Sequence, residues 1–381
     1  MSRSVLVVVD DDPVVTEALA AGLYADSRTI VVCNTVEAAE LIVEEALPEA
    51  VISDIQLAGR FDFDGLRLLT HIATHSPDTA VVLMSGARAD GLADEATRRG
   101  ALAFLQKPFG LDEIEEVLLK KIRHLHRANG RFSSDAPVIR IPSLDEMLEG
   151  QLLFARFQAI VDLREPDERR YGFESLIRAD ISTPLANPVA LFRYAQRCGR
   201  LFDLDMACID RGMRDSKPLA GKGLLFINVH PLSFDRPEIL EQTILSAQER
   251  YGLSPGQIVL EITEQVQISL RDSTFACCKR LRNAGFRFAL DDVGAGFSHL
   301  EHVAGISPSY LKISQQLGTG FESDATRMKV VRNVVALAKE LDCEVILEGV
   351  ETAATAEAAR DIGISLAQGY YYSRPAEASS F

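Results

Sequence analysis

The sequence predicts two α/β domains in tandem: a five-stranded doubly wound parallel sheet, then an irregular (β/α)8 barrel. Three observations carry this reading. In residues 1–127, five short β-branched runs alternate with helical stretches, the pattern of a parallel sheet covered on both faces. From 143 to 381, eight strand-like runs are mostly separated by helical stretches. The first two of these runs are separated by only nine residues, Asp162–Arg170. That is short for a parallel crossover, so the first strand is expected to run antiparallel and to make the TIM-like barrel irregular.

The elements follow in order. The first domain has candidate strands at Val5–Val9, Ile30–Cys33, Ala50–Ser53, Ala80–Met84 and Ala101–Leu105, with helices such as Pro13–Tyr24 and Val36–Leu47 between them. Leu111–Arg127 is amphipathic and ends in Lys120, Lys121, Arg123 and Arg127, cations that suit a helix C-terminus. Residues 128–142, with Gly130, Ser133 and Ser134, read as a linker. Ser143 followed by Glu146 is a capping box that starts the second domain. Its strands are expected at Leu153–Val161, Tyr171–Ile177, Leu224–Val229, Ile258–Ile262, Phe286–Leu290, Tyr310–Ile313, Glu344–Leu347 and Leu366–Tyr371.

Composition excludes several function classes. The chain of 381 residues is 47% hydrophobic and 25% charged, with a net charge of −15. That balance disfavours binding to DNA or to an anionic membrane surface. The six cysteines form no C-x-x-C pair, as expected for a reduced protein. The Val5–Val9 run stops at three aspartates and is too short for a signal peptide. No run approaches the ~20 residues of a membrane span, so a cytoplasmic protein without membrane insertion is expected.

Polar residues fall at the carboxyl ends of the first domain's strands, where such sheets bind ligands. Asp10 and Asp11 close the first run, Asp54 the third and Ser85 the fourth, and Lys107 follows the fifth ahead of Pro108. Acids to hold Mg²⁺, with a lysine and a hydroxyl to receive phosphoryl oxygens, make a phosphoryl-transfer site. This half resembles a response-regulator receiver domain. The resemblance implies that Asp54 accepts a phosphoryl group from a cognate histidine kinase or another donor. It makes Asp10 and Asp11 the Mg²⁺ ligands, and Ser85, Phe104 and Lys107 the switch residues. The loop after Asp54 is longer than usual, with Ala58 where proline is common.

In the second domain Glu174, Asn228, Glu261, Asp291, Asp292, Lys312, Glu348 and Gln368 lie within or at the ends of the apolar runs. In a barrel those ends form one mouth. Glu, Asn and Asp are hard oxygen ligands suited to Mg²⁺ or Mn²⁺, and no histidine joins them, which argues against Zn²⁺. Two adjacent carboxylates at the end of a buried run need a cation, so a two-metal hydrolytic centre is expected. Lys312 suits charge stabilisation, and Arg178 suits bidentate grip of a phosphate.

Glu174-Ser-Leu-Ile-Arg178, Glu261-Ile-Thr-Glu264, Asp291-Asp-Val-Gly-Ala-Gly296, Leu311-Lys-Ile313, Leu347-Glu-Gly-Val-Glu351 and Gln368-Gly-Tyr370 occur in that order. Together they resemble the EAL phosphodiesterases, metal-dependent hydrolases that cleave cyclic di-GMP to linear pGpG. The resemblance implies metal binding by Glu174, Asn228, Glu261, Asp291 and Asp292. It gives Lys312, Glu348 and Gln368 the water and metal, and Gln158 and Arg178 the dinucleotide. Glu264 would anchor the glycine turn, which the family links to activity and to a homodimer or higher homo-oligomer.

Ser175, Ser309 and Ser314 replace an alanine and two aspartates common in the family, and Val293, Phe297 and His299 vary the glycine turn. A lost contact behind a metal ligand typically costs about 10–100-fold. An alternative of a different class therefore stands: a weak or inactive EAL domain that senses cyclic di-GMP or binds a protein partner. His71 and His75, four apart on an expected helix, are expected to have no supporting ligands nearby and read as a surface or core pair. The leading expectation is a two-component response regulator whose output is phosphorylation-controlled cyclic di-GMP hydrolysis.

Overall fold

The computed structural model describes residues 4–25, 28–57, 63–86, 91–122, 138–150, 152–165, 167, 169–181, 183–263, 272–293 and 305–381. They form two compact units. One comprises Met1–Leu152 and Ala179–Leu201, the other Leu153–Arg178 and Phe202–Phe381. Ala179–Leu201, which lies within the stretch expected as the second domain, thus belongs with the first unit. Among the described residues no helix is long and apolar enough to cross a membrane.

The first unit contains β1 (Ser4–Val9), α1 (Pro13–Gly22), β2 (Arg28–Cys33), α2 (Val36–Ala46), β3 (Ala50–Asp54), α3 (Asp64–His75), β4 (Ala80–Ser85), α4 (Leu92–Arg98), β5 (Ala103–Gln106) and α5 (Leu111–Ile122). The strands are parallel and ordered β5-β4-β3-β1-β2. Central β1 and β3 are apolar almost throughout and buried, because helices cover both faces. Leu6, Val8, Ile30, Ile52 and Val82 pack against Leu19 of α1, Leu23 just after it, and Ile114 and Leu118 of α5. Local chemistry starts the helices: Asp12 accepts from the Val14 amide with Pro13 at the first turn, and Thr35 accepts from the Ala38 amide.

A sixth strand, β6 (Val138–Arg140), extends this sheet by pairing parallel to β2. It falls inside the stretch read as linker. Only Ile139 of the three residues is buried, an alternation that covers one sheet face and pairs an otherwise open edge. Residues 123–137 lie outside the described residues. Next comes α6 (Leu144–Glu149), whose start is the expected capping box: the Glu146 amide donates to Ser143 Oγ at 3.2 Å and the Ser143 amide to Glu146 Oε2 at 2.8 Å. The unit also contains α7 (Pro188–Arg197), opened by Asn187, which accepts from the Val189 amide.

The second unit is a closed barrel of β7 (Leu153–Asp162), β8 (Arg170–Ala179), β9 (Leu224–Val229), β10 (Ile258–Thr263), β11 (Arg287–Val293), β12 (Tyr310–Ile313), β13 (Glu344–Leu347) and β14 (Leu366–Gln368). Pairs β8–β9 through β13–β14 are parallel, whereas β14 and β7 are antiparallel, with Leu366 opposite Asp162. The short β7–β8 connection leaves no room for a crossover, so β7 reverses. Around the barrel lie α8 (Leu201–Asp215), α9 (Pro237–Arg250), α10 (Asp272–Asn283), α11 (Gln315–Gly318), α12 (Ala325–Glu340) and α13 (Ala353–Asp361). Outward residues such as Leu260, Ile262, Leu311 and Leu347 pack with helix residues such as Ile209, Ile244, Leu281 and Val335.

The last strand is shorter than expected, ending at Gln368 instead of Tyr371. A Cβ at Gly369 would sit 2.0 Å from the Val350 carbonyl oxygen. The chain turns there against the Val350 backbone and leaves Tyr370 and Tyr371 exposed.

Candidate active site

One strand period builds the barrel site. Ile160, Phe226, Val259, Ala289, Tyr310, Ile346 and Leu366 cluster inside the barrel. Two residues further along each parallel strand stand Asn228, Glu261, Asp291, Lys312, Glu348 and Gln368. In β7, which runs the other way, the partner of Ile160 lies two residues back and is Gln158. Glu174 stands two residues beyond Gly172, where a Cβ would lie 2.9 Å from the Phe226 ring. Successive side chains alternate faces, so an apolar layer is followed by a polar one.

At its centre is Lys312, with 0% of its side chain exposed. Its Nζ lies 2.8 Å from Glu348, 3.0 Å from Glu261, 3.4 Å from Asp291 and 3.5 Å from Glu174. Amides tie the ring together. Gln368 Nε2 donates to Glu174 at 2.6 Å and to Gln158 at 3.1 Å, and Asn228 Nδ2 donates to Glu174 at 3.1 Å. Gln158 Nε2 in turn donates to the Ser373 carbonyl at 2.9 Å.

Adjacent residues of a regular strand point to opposite faces, which would separate Asp291 from Asp292. The structure resolves this with a register shift between Leu290 and Val293 and a φ of 61° at Asp292. Left-handed backbone at a residue other than glycine costs about 1–2 kcal/mol. Here it lets carboxylate oxygens of Asp291, Asp292 and Glu348 lie within 4.8 Å of one another.

The charges do not balance. Glu174, Glu261, Asp291, Asp292 and Glu348 face one lysine. Burial pulls the Lys312 ammonium down, but its carboxylate neighbours outweigh burial and hold it well above its ordinary value. Burial pushes Glu261 well above the usual carboxylate range and Glu348 up to about 8, despite Lys312. Glu174 is also buried, yet Lys312 and the two amides hold it low. Among the described residues Lys312 is the one cation beside Glu261, on Oε1, and Glu261 Oε2 has no hydrogen-bond partner. A buried carboxylate with an orphan oxygen, in an oxygen-only donor set with excess negative charge, fits divalent hard cations. Arg178 is half-buried and donates to the Ile177 carbonyl at 2.8 Å. Glu264 and the glycine turn 294–299 lie outside the described residues.

One contributor escaped the sequence reading. Asp205 of α8, 2% exposed, accepts from Ser233 Oγ at 2.6 Å and from the His230 amide at 3.1 Å, fixing the turn just after Asn228. Its only signal was an acid among apolar residues of a helix. Burial raises its carboxyl from 3.8 to about 7. The folded state therefore binds more protons between those values, and stability falls as pH rises through that window. Asp205→Asn keeps an accepting oxygen and is expected to melt several degrees higher than the wild type at pH 8, at about 2–4 °C per kcal/mol, with no gain at pH 4. Equal melting temperatures at pH 8 would refute the buried-carboxyl account.

Ser314, after β12, is 2% exposed, and its Oγ has no hydrogen-bond partner among the described residues. The expected aspartate contact is absent there.

In the first unit, Lys107 Nζ lies 2.5 Å from Asp54 and 2.7 Å from Asp10. Parallel strands bring these residues to one edge. Burial raises the Asp10 carboxyl although Lys107 opposes it. Burial pulls Lys107 down, and its two acids more than compensate. Ser85 is buried at the same edge, Phe104 is half-buried and Asp11 faces solvent. Among the described residues, Asp10, Asp11 and Asp54 do not bring three oxygens within 4.8 Å of one another.

Comparison with known proteins matches the two halves of the chain that carry these clusters. The response regulator receiver domain model matches residues 6–119 and the EAL domain model residues 142–375. The cyclic di-GMP phosphodiesterase RocR of Pseudomonas aeruginosa is 28% identical over 344 residues, covering 86% of this chain and 84% of RocR. The cyclic di-GMP phosphodiesterase NbdA of the same organism is 27% identical over 282 residues, which are 69% of this chain but only 36% of NbdA. Among solved structures, the PaMucR phosphodiesterase in its c-di-GMP complex aligns with a TM-score of 0.54 at 25% identity, covering 60% of this chain and 99% of that one. Klebsiella pneumoniae BlrP1 in its calcium and cyclic di-GMP complex aligns with a TM-score of 0.52 at 26% identity, covering 72% and 74%. The chain belongs to the EAL domain family and carries a response regulator receiver domain ahead of its EAL domain.

Proposed function

We propose that the chain is a phosphorylation-regulated phosphodiesterase that hydrolyses cyclic di-GMP to linear pGpG. The observation that carries this reading is the polar layer around Lys312, whose carboxylates outnumber the cations present. Glu174, Asn228, Glu261, Asp291 and Asp292 would hold two divalent cations, Mg²⁺ or Mn²⁺. When bound, these polarise the phosphodiester and make a water more acidic. Water attacks phosphorus, the ester bond to the 3′ oxygen breaks, and a linear dinucleotide with a 5′ phosphate leaves.

The chain's own groups orient this displacement. Lys312 neutralises charge that develops on the phosphoryl oxygens. Glu348, beside Lys312 and the Asp291–Asp292 carboxylates, is placed to hold the attacking water and take its proton. Gln368 positions Glu174, and Gln158 and Arg178 engage the dinucleotide.

Residues 1–127 are the input and 143–381 the output. Asp54 receives the phosphoryl group from a cognate histidine kinase or another donor, with Mg²⁺ at Asp10 and Asp11. Lys107 and Ser85 bind the new oxygens, and Phe104 responds. The route of coupling is supported by α7, which follows β8, the strand of Glu174 and Arg178, yet belongs to the receiver's compact unit. It is held there by Arg193 and Arg197 on Glu44, at 2.5 and 2.6 Å, and by Tyr194 OH on Thr35 Oγ1 at 3.4 Å. A second copy of the chain is the proposed partner.

The test is turnover of cyclic di-GMP with Mg²⁺ or Mn²⁺, with and without a small phosphoryl donor. Linear product is expected, at a rate that changes several-fold on phosphorylation in the wild type and not in Asp54→Asn. Equal rates in all states would end the regulatory reading. Binding without product would favour the sensor reading, to which the unpartnered Ser314 points.

A further inference from the structure

Helix α3 presents His71 and His75 one turn apart, and the fold adds the ligand that sequence proximity did not offer. Glu44, near the end of α2, places Oε1 3.2 Å from His71 Nε2 and 4.0 Å from His75 Nε2. The two imidazoles stack with centroids 4.1 Å apart and planes 19° apart. One ligand atom from each of the three residues lies within 4.8 Å of the others.

Their hydrogen bonding suits ligation. His75 Nδ1 lies 3.0 Å from the His71 carbonyl oxygen. A carbonyl only accepts, so the proton sits on Nδ1 and Nε2 keeps its lone pair, the arrangement in which a metal-binding histidine is oriented by backbone. His71 Nε2 is shielded from solvent and faces Glu44 Oε1. Burial also holds the His71 imidazole below its ordinary value, so a proton competes little near neutral pH.

The opposing force is visible as well. Arg197 Nη2 occupies the same Glu44 Oε1 at 2.6 Å, and Arg193 Nη2 lies 2.5 Å from Oε2. We propose that Glu44, His71 and His75 form a second, separate metal site for a borderline cation of the Zn²⁺ class, which binds by displacing Arg197 from Glu44. Two imidazoles and one carboxylate, with a fourth position open, are a donor set that Zn²⁺ accepts. The all-oxygen carboxylates of the barrel mouth suit harder ions. The proposal does not depend on the catalytic reading. Occupation of the site would loosen α7 from α2.

The test is a Zn²⁺ titration of the full chain against a chromophoric chelator, in excess Mg²⁺. The wild type is expected to bind one more equivalent than His71→Ala or His75→Ala. Asp291→Asn is expected to retain that equivalent. Arg197→Ala, which removes the competing cation, is expected to bind it about tenfold more tightly, the equivalent of about 1.4 kcal/mol. A gain of affinity cannot come from misfolding. Identical stoichiometry in wild type and the histidine variants, or unchanged affinity in Arg197→Ala, would overturn the proposal.

Discussion

Asp291→Asn is expected to lower hydrolysis of cyclic di-GMP by roughly 10²–10³-fold or more while the barrel stays folded. The carboxylate stands at the bulge that turns Asp291 and Asp292 toward Glu348. The amide is nearly isosteric, so the apolar layer beneath it and the neighbouring Ala289 are undisturbed. What changes is charge and donor type. An amide still offers one oxygen but cannot neutralise a dication, and it places an N–H₂ where an acceptor is needed. Divalent-ion affinity should fall together with rate, measured by isothermal titration with Mn²⁺. Near-wild-type turnover in this variant would remove Asp291 from the metal assignment and, with it, the proposed chemistry.

Lys312→Met is expected to have the largest effect on stability. Methionine matches the length of the lysine stem, so the loss is chiefly one of charge. Breaking a buried pair by removing one partner costs about 3–5 kcal/mol, and here one ammonium faces four carboxylates within 3.5 Å. In metal-free protein the barrel's unfolding transition in urea should move to lower concentration by an amount of that order. Mn²⁺ should restore much of the loss, because a dication replaces the missing positive charge, while turnover should stay abolished. If metal-free Lys312→Met is as stable as the wild type, the ring is not held by this charge.

The same electrostatics set a pH dependence. Glu348 sits near 8 in the fold against an ordinary value of 4.5. Between those values the folded state binds more protons at Glu348 than the unfolded chain does, so the stabilisation this group contributes is full below about 4.5 and falls away as pH rises through about 8. Lys312→Met should steepen that fall, since neutralising the carboxylates by protonation becomes the only relief without metal.

Particular residues show what was legible and why. Asp291, Glu261 and Lys312 could be found from sequence because each interrupts or ends an apolar run, and an apolar strand does not carry a charge without a reason. The antiparallel first strand was legible from the length of one connection. Asp54 and Lys107 were legible because parallel strands place their carboxyl ends along one edge. The strand β6 was not, since three residues of alternating pattern look like any exposed segment until β2 presents an open edge. Gly369, which ends β14 early, was hidden for a similar reason: only the Val350 backbone behind it forbids a side chain.

The chain's own pattern determined the class of each half and named most of the polar groups that the described fold gathers at the strand ends, oxygen donors above all at the barrel mouth. These are local properties, set by period, residue type and loop length. Only the tertiary structure decided how those groups meet. It turned Asp292 through a left-handed backbone to join Asp291, put Lys312 at the centre of four carboxylates, assigned α7 to the receiver's unit, and brought Glu44 to His71 and His75. Each joins residues distant in sequence or turns a side chain against its strand's alternation, and the energy that places them there comes from packing and burial elsewhere in the fold, which no local stretch of sequence contains.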